Sequence, residues 1–189
     1  FKRISTPTYT YQMTIATLFA SLPRILQKTY FSLNPLNPNN TEDNYQELLR
    51  KNLEIKGFKV SSEVSVQKTT IDMDDDVFKL KNKSERHDLT IDNLSVVMEL
   101  KNLVDLDESC VNQLIHYMEQ SDYLYGILIN FAKYNKKREY RYSYRIYKRD
   151  GETSFTDSHG DVYVRGQFTM IHEGIGENYG ELLGSQILS

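Results

Sequence analysis

Apolar residues recur every three to four positions in three stretches of this chain and every second position in several others, the periods of helices and strands. In "TIATLFASLPRILQKTYF" (residues 14–31), Ile15, Leu18, Phe19, Leu22, Ile25 and Leu26 follow the helical period, and Pro23 is expected to kink or divide the helix. "SLNPLNPNN" sets Pro35 and Pro38 among asparagines and reads as a linker. "TEDNYQELLRKNLEIKGF" predicts a second helix, capped by Thr41, with acids in its first turn, Gly57 at its end and Tyr45, Leu48, Leu49 and Leu53 on the buried stripe. "FKVSSEVSV" (58–66) alternates as a strand. An acidic knot, "IDMDDDV" (71–77), and "KLKNKS" then form an excursion.

"HDLTI" and "SVVMEL" predict two strands joined at Asp92, Asn93 and Leu94 by a hairpin turn. "DESCVNQLIHYMEQS" (107–121) is an amphipathic helix with Val111, Leu114, Ile115 and Met118 inward. "YLYGILINF" (123–131) is apolar almost throughout, as in a central strand covered on both faces. "YRYSYRIY" alternates again, and the last forty residues carry glycines and weak periodicity. The element order predicts a mixed sheet with helices, an α/β sandwich. The expected division is a helical extension and linker over 1–38, a core domain over 39–149 and a tail or small appendage over 150–189.

A length of 189 residues favours one domain with a substantial core. The chain begins with Phe1, which leaves room for upstream sequence, a removed targeting segment included. No apolar run is long enough to span a bilayer, so no membrane role is expected. Cys110 is the only cysteine, which excludes a disulfide within the chain and a cysteine-rich zinc site. A reducing, intracellular location, cytoplasmic or nuclear, fits this usage. The net charge of −3 marks no polycation, yet residues 133–149 hold eight basic residues and one acid.

The segment "ERHDLTIDNLSVVMELKNL" (85–103) places charges inside strands. With a two-residue loop at Asp92-Asn93, Asp88 faces Val97, and Glu99 becomes its diagonal neighbour on the same face, roughly 7 Å away at the backbone. Lys101 shares that face, while Leu89, Ile91, Val96, Met98 and Leu100 take the other. Paired carboxylates repel, so either one keeps a proton or a cation sits between them. A hard divalent ion suits oxygen ligands, can polarise a phosphate and lowers the pKa of a bound water. Lys101 could position that water or neutralise charge on the phosphate. The same pattern also suits an ordinary solvated sheet face.

An Asp, a hairpin and Glu-x-Lys resemble the PD-(D/E)XK nuclease superfamily, and "ERHDLTIDNLSVVMELKNL" looks like the corresponding segment of its GxxExxY group. "NNTEDNY" matches that group's name motif at Glu42 and Tyr45, with Asn39 where glycine is expected. "QLIHY" supplies Gln113 and Tyr117, similar to a Gln-x-x-x-Tyr signature, and "GILINF" is like the strand that follows. The resemblance implies a restriction-endonuclease-like three-layer α/β sandwich, a mixed central sheet flanked by helices. It implies a Mg²⁺- or Mn²⁺-dependent nuclease that hydrolyses phosphodiesters, DNA ahead of RNA, through a metal-activated water. Asp88, Glu99 and the Leu100 backbone carbonyl would hold the metal, Lys101 would be the catalytic lysine, and Glu42 the helix-borne acid. Gln113 and Tyr117 would steady the site or contact substrate.

Among the basic residues, Lys136, Lys137, Arg138, Arg141 and Arg145 are the expected nucleic-acid contacts, with Arg141, Ser143 and Arg145 on one strand face. The interleaved tyrosines either stack on bases or pack inward. His87 is expected to be structural, His116 a surface residue or a substrate contact, "DSHGD" (157–161) a turn, and Cys110 a packing residue. The alternative function is a catalytically idle nucleic-acid-binding or protein-interaction module, with a protein partner engaged through the terminal extensions.

Overall fold

The computed structural model describes residues 13–63, 88–133 and 142–176. The acidic knot, "KLKNKS", His87, Lys136, Lys137, Arg138 and Arg141 lie outside the described residues. Three helices and six strands are described: α1 (Ile15–Ser32), α2 (Glu42–Ile55), β1 (Ser61–Glu63), β2 (Asp88–Ile91), β3 (Val96–Lys101), α3 (Glu108–Gln120), β4 (Tyr125–Phe131), β5 (Tyr142–Thr156) and β6 (Val162–Ile175). The strands form one sheet in chain order. Only β3 and β4 run parallel, because α3 carries the chain back between them, and every other pair is antiparallel. Helices α1 and α2 cover one face and α3 the other, so the molecule is the expected three-layer sandwich.

The alternation along each strand sorts the core into two clusters. Leu89, Ile91, Val96, Met98, Leu100, Ile127, Ile129 and Phe131 meet α1 and α2. Val97 and Leu128 meet Cys110, Leu114 and Met118 of α3. Gly126 lies on the α3 side, where a Cβ would run into Met118 Sδ and come within 3.2 Å of Leu114 Cδ1. Gly126→Ala is therefore expected to lower stability by about 1–3 kcal/mol through overpacking. A melting temperature equal to wild type would show that α3 yields freely there.

Helix α1 is not divided at Pro23, and its buried residues join the same core cluster as the sheet. An interior proline costs about 3 kcal/mol. Fully burying Leu18, Leu22, Ile25 and Leu26 contributes roughly 1.5–3 kcal/mol each, which outweighs that cost. The Tyr142 hydroxyl donates to the Pro23 carbonyl at 3.2 Å, and the Tyr30 hydroxyl to the Ala132 carbonyl at 3.1 Å. Tyr45 of α2 stacks on Phe131 with ring centroids 4.7 Å apart, and Tyr30 stacks on Tyr45 at 5.9 Å. The first turn of α2 is thereby fixed beside the end of β4. Its cap is the expected Thr41, in a capping box with Asn44.

The predicted strand at 58–66 appears only as the three residues of β1 within the described chain. The weakly periodic last forty residues instead supply β6, which forms a long hairpin with β5. Register shifts between Ile146 and Tyr147 and between Arg149 and Gly151 interrupt the two-residue alternation, which is why the sequence pattern faded there. "DSHGD" is the expected turn: Asp157 Oδ1 accepts the amides of His159 and Asp161 at 2.8 and 2.9 Å, and Gly160 takes φ +82°.

Candidate active site

The site begins with the turn between β2 and β3. Its loop holds four residues, not two: a 3-10 turn over Asp92–Leu94 and then Ser95 in the left-handed region at φ 57°. A two-residue loop would need positive φ at one or both central positions, which Asp92-Asn93 lacks a glycine to favour. The Ser95 carbonyl accepts the amides of Leu124 and Tyr125 at 3.1 and 2.9 Å, and the Tyr123 hydroxyl donates to Asp92 at 2.8 Å. The turn is thus tied to the start of β4.

The longer loop shifts the register by two residues. Asp88 lies directly opposite Glu99 rather than diagonal to it. A two-residue shift preserves parity, so positions 88, 99 and 101 still share one face. Directly opposed residues are closer than diagonal ones, with Cα atoms about 5 Å apart.

On β3, Glu99 is 7 % exposed and its Oε1 lies 3.3 Å from Lys101 Nζ. Lys101 Nζ also donates to Gln113 Oε1 of α3 at 2.9 Å. The structure therefore brings together Glu99, Lys101 and Gln113, with position 88 opposite Glu99 on the same face. Asp107 caps α3 and so sets where Gln113 stands: its Oδ1 accepts the Cys110 amide at 3.2 Å. The Ser109 hydroxyl, and then the Cys110 amide, hold the Asp107 carboxyl below its ordinary range. Burial raises the Cys110 thiol, which packs under α3 as expected.

Other candidates sit farther off. Tyr117 packs against Tyr123, ring centroids 6.4 Å apart, at the far end of α3. His116 is exposed and hydrogen-bonds Gln120. Glu42 opens α2, on the opposite side of the sheet from α3, and can approach the charged face only around the ends of β3 and β4. The Leu100 side chain faces the α1–α2 core.

Arg145 is in line with the pair. Register partners run Asp88, Glu99, Leu128, Arg145 and Glu173 across five strands. Arg145 thus lies two strands from Glu99 on the same face, roughly 10 Å away, and its Nε is 3.3 Å from Glu173 Oε1. Tyr142 and Tyr144 pack into the α1–α2 core, so of the two readings of the tyrosines these take the inward one. Arg149 caps the end of α3, donating to the carbonyls of Met118 and Ser121 while stacked 5.0 Å over Phe168.

Two asparagines that the sequence reading passed over organise the chain after Lys101. Asn130 is fully buried in β4: its Oδ1 accepts the Leu103 amide at 2.9 Å and its Nδ2 donates to the Leu103 carbonyl at 3.0 Å. Asn102 Nδ2 donates to the Phe131 carbonyl at 2.7 Å. The only signal in the sequence was an asparagine inside the apolar run "GILINF".

A family model described as the PD-(D/E)XK nuclease superfamily matches residues 22–143, well over half of the chain. The chain belongs to the PD-(D/E)XK nuclease superfamily. No curated protein and no solved structure gives a significant match. Members of the superfamily are in general nucleases and typically use divalent metals. The donor chemistry here fits such an ion. A buried glutamate, an aspartate at the opposed strand position and one ammonium leave a net negative charge, and hard cations need only one or two carboxylates when waters complete the shell. No helix among the described residues is long and apolar enough to cross a membrane.

Proposed function

We propose that this protein is a nuclease that hydrolyses phosphodiester bonds in DNA with Mg²⁺ or Mn²⁺, and that it falls in the GxxExxY-like group by its Glu42 and Tyr45. The observation that carries the reading is the buried Glu99 paired with the half-buried Lys101, with position 88 in direct register opposite Glu99. Asp88, Glu99 and the Leu100 carbonyl would hold the ion. When bound, such an ion polarises a phosphate oxygen and lowers the pKa of a coordinated water.

Lys101 offers a positive charge beside the place where negative charge grows on the phosphate, and Gln113 fixes its reach from α3. Glu42 would supply a further acid from the end of the sheet, and Tyr117 steadies α3 against Tyr123. Arg145, on the same face, would hold a neighbouring phosphate of the substrate, with Lys136, Lys137, Arg138 and Arg141 extending the cationic track along the chain.

The test is incubation of purified protein with labelled single- and double-stranded DNA and RNA, with Mg²⁺, Mn²⁺ or chelator. DNA should be cut with either ion and left whole in chelator. No cutting with either ion, or cutting that chelator does not reduce, would contradict the reading. A catalytically idle interaction module is the second reading. The exposed Phe155, Val162, Tyr163 and Val164 of the hairpin favour it, since such residues suit a protein contact. DNA binding without cutting in the same assay would support it.

A further inference from the structure

The asparagine–proline segment between α1 and α2 reads from sequence as a linker, yet it is a built wall. Leu36 N donates to Asn34 Oδ1 at 3.1 Å, Asn39 N to Asn37 Oδ1 at 2.9 Å, and Asn40 Nδ2 to the Asn34 carbonyl at 2.6 Å. These side-chain turns, with two prolines, hold the segment in one shape before any ligand arrives. The wall closes a cavity of about 240 Å³ whose lining includes Pro35, Leu36, Pro38, Tyr45, Asn102 and Lys133.

Pockets for drug-sized ligands run from about 300 Å³ upward, so this one suits a smaller group, about one heterocyclic ring system. Pro35, Leu36 and Pro38 supply apolar surface, and Tyr45 is held rigidly by its stack on Phe131. Asn37 and Asn40 also line it, and the most deeply buried amide is Asn102, 9 % exposed. Its Nδ2 is committed to the Phe131 carbonyl, and a flipped amide would set oxygen against oxygen, so the orientation is fixed. The remaining atom, Oδ1, accepts no hydrogen bond among the described residues and is a ready acceptor. Lys133 is exposed and makes no ion pair among the described residues.

The location gives these features a purpose. Asn102 follows Lys101 directly, and the cavity lies at the ends of β3 and β4, beside Asn102 and Ala132. A chain crossing that end of the sheet would meet Lys101 on the α3 side and the cavity a single residue farther on.

We infer that this cavity is a subsite for one unpaired nucleobase carrying an exocyclic amino group, belonging to a nucleotide beside the phosphate at Glu99 and Lys101. The Asn102 oxygen accepts from the amino group, as carboxylate and amide oxygens do from cytosine N4 or adenine N6. Lys133 meets the nucleotide's phosphate. A base stacked and paired inside a duplex cannot enter the cavity without being flipped out, so single strands or frayed ends enter in preference to blunt duplex. The inference rests on the proposed nuclease only for the place of the scissile phosphate.

The experiment is calorimetric titration in chelator with deoxycytidine monophosphate and deoxyuridine monophosphate, which differ in the 4-position group, amino against oxo, and in the hydrogen that uracil carries at N3. Wild type should bind the cytidine nucleotide roughly fivefold more tightly, the worth of one hydrogen bond. Leu36→Trp fills the cavity from a residue that is 52 % exposed and should weaken that binding at least about tenfold. Lys133→Ala should weaken both nucleotides alike. Melting curves confirm that each variant folds, and Lys133→Ala decides the matter should Leu36→Trp fail to. Equal affinity for the two nucleotides, no binding by wild type, or binding unchanged in both Leu36→Trp and Lys133→Ala overturns the subsite. Nucleotide bound here by a protein that cuts nothing would sink the nuclease and keep the subsite, and cutting without nucleotide binding would do the reverse.

Discussion

Glu99→Gln and Asp88→Asn should each reduce DNA cleavage by about 100-fold or more while the protein remains folded. Both substitutions keep side-chain volume and remove one negative charge. Two acids at directly opposed strand positions repel each other in the absence of a cation. Neutralising Asp88 should therefore leave the melting temperature in chelator unchanged or raised, while in Glu99→Gln the relief of repulsion is offset by the lost ion pair with Lys101. Wild type should gain about 1.4 kcal/mol when the ion is present at tenfold its Kd, and the variants should lose that gain. Lys101→Ala is the less clean probe, because it also removes the ammonium 3.3 Å from a carboxylate that is only 7 % exposed. Wild-type cutting by both carboxylate variants, together with an undiminished response of melting to Mg²⁺ or Mn²⁺, would rule these residues out as the centre.

Asn130→Leu should cost about 2 kcal/mol and slow cleavage tenfold or more. The change keeps an apolar-compatible volume at a fully buried position, so the loss is that of hydrogen bonds and not of space. It strips the Leu103 amide of its acceptor and the Leu103 carbonyl of one of two donors, the other being the Lys133 amide at 3.2 Å. Asn130 and Lys101 are register partners on β4 and β3, so the loosened segment starts two residues beyond the candidate catalytic lysine. A small displacement of a reacting group is enough to lower a rate by orders of magnitude. The expected signature is a fall in kcat larger than any rise in KM, with melting lowered by about 4–8 °C. Unchanged kcat in a destabilised protein would show that the clamp serves only folding.

Much of the fold was legible because its periods are clean. The stripes of α2 and α3, the apolar run of β4 and the alternation of β2 and β3 each follow from which residues can be buried. The packing of helix α1 against the sheet was not legible, because Pro23 and the linker-like segment after it are local signals, whereas the burial that holds the helix is tertiary. The β6 strand was illegible because an extra residue at Ile171 breaks its alternation and most of its residues stay exposed. Asn130 and Asn102 carried almost no signal, since an asparagine in a strand or just beyond one acquires its role only from the backbone it happens to meet.

Alone, the sequence determined that positions 88, 99 and 101 share a face, because parity along paired strands survives an error of two residues in the turn. It also determined the family, through motifs whose order does not depend on geometry. Tertiary structure decided what stands opposite what. It set Asp88 level with Glu99, brought Gln113 to Lys101, aligned Arg145 two strands away and turned a proline-rich connection into the wall of a cavity. Those relations join residues far apart in the chain, and they are fixed by loop length, register and packing, which no local pattern encodes.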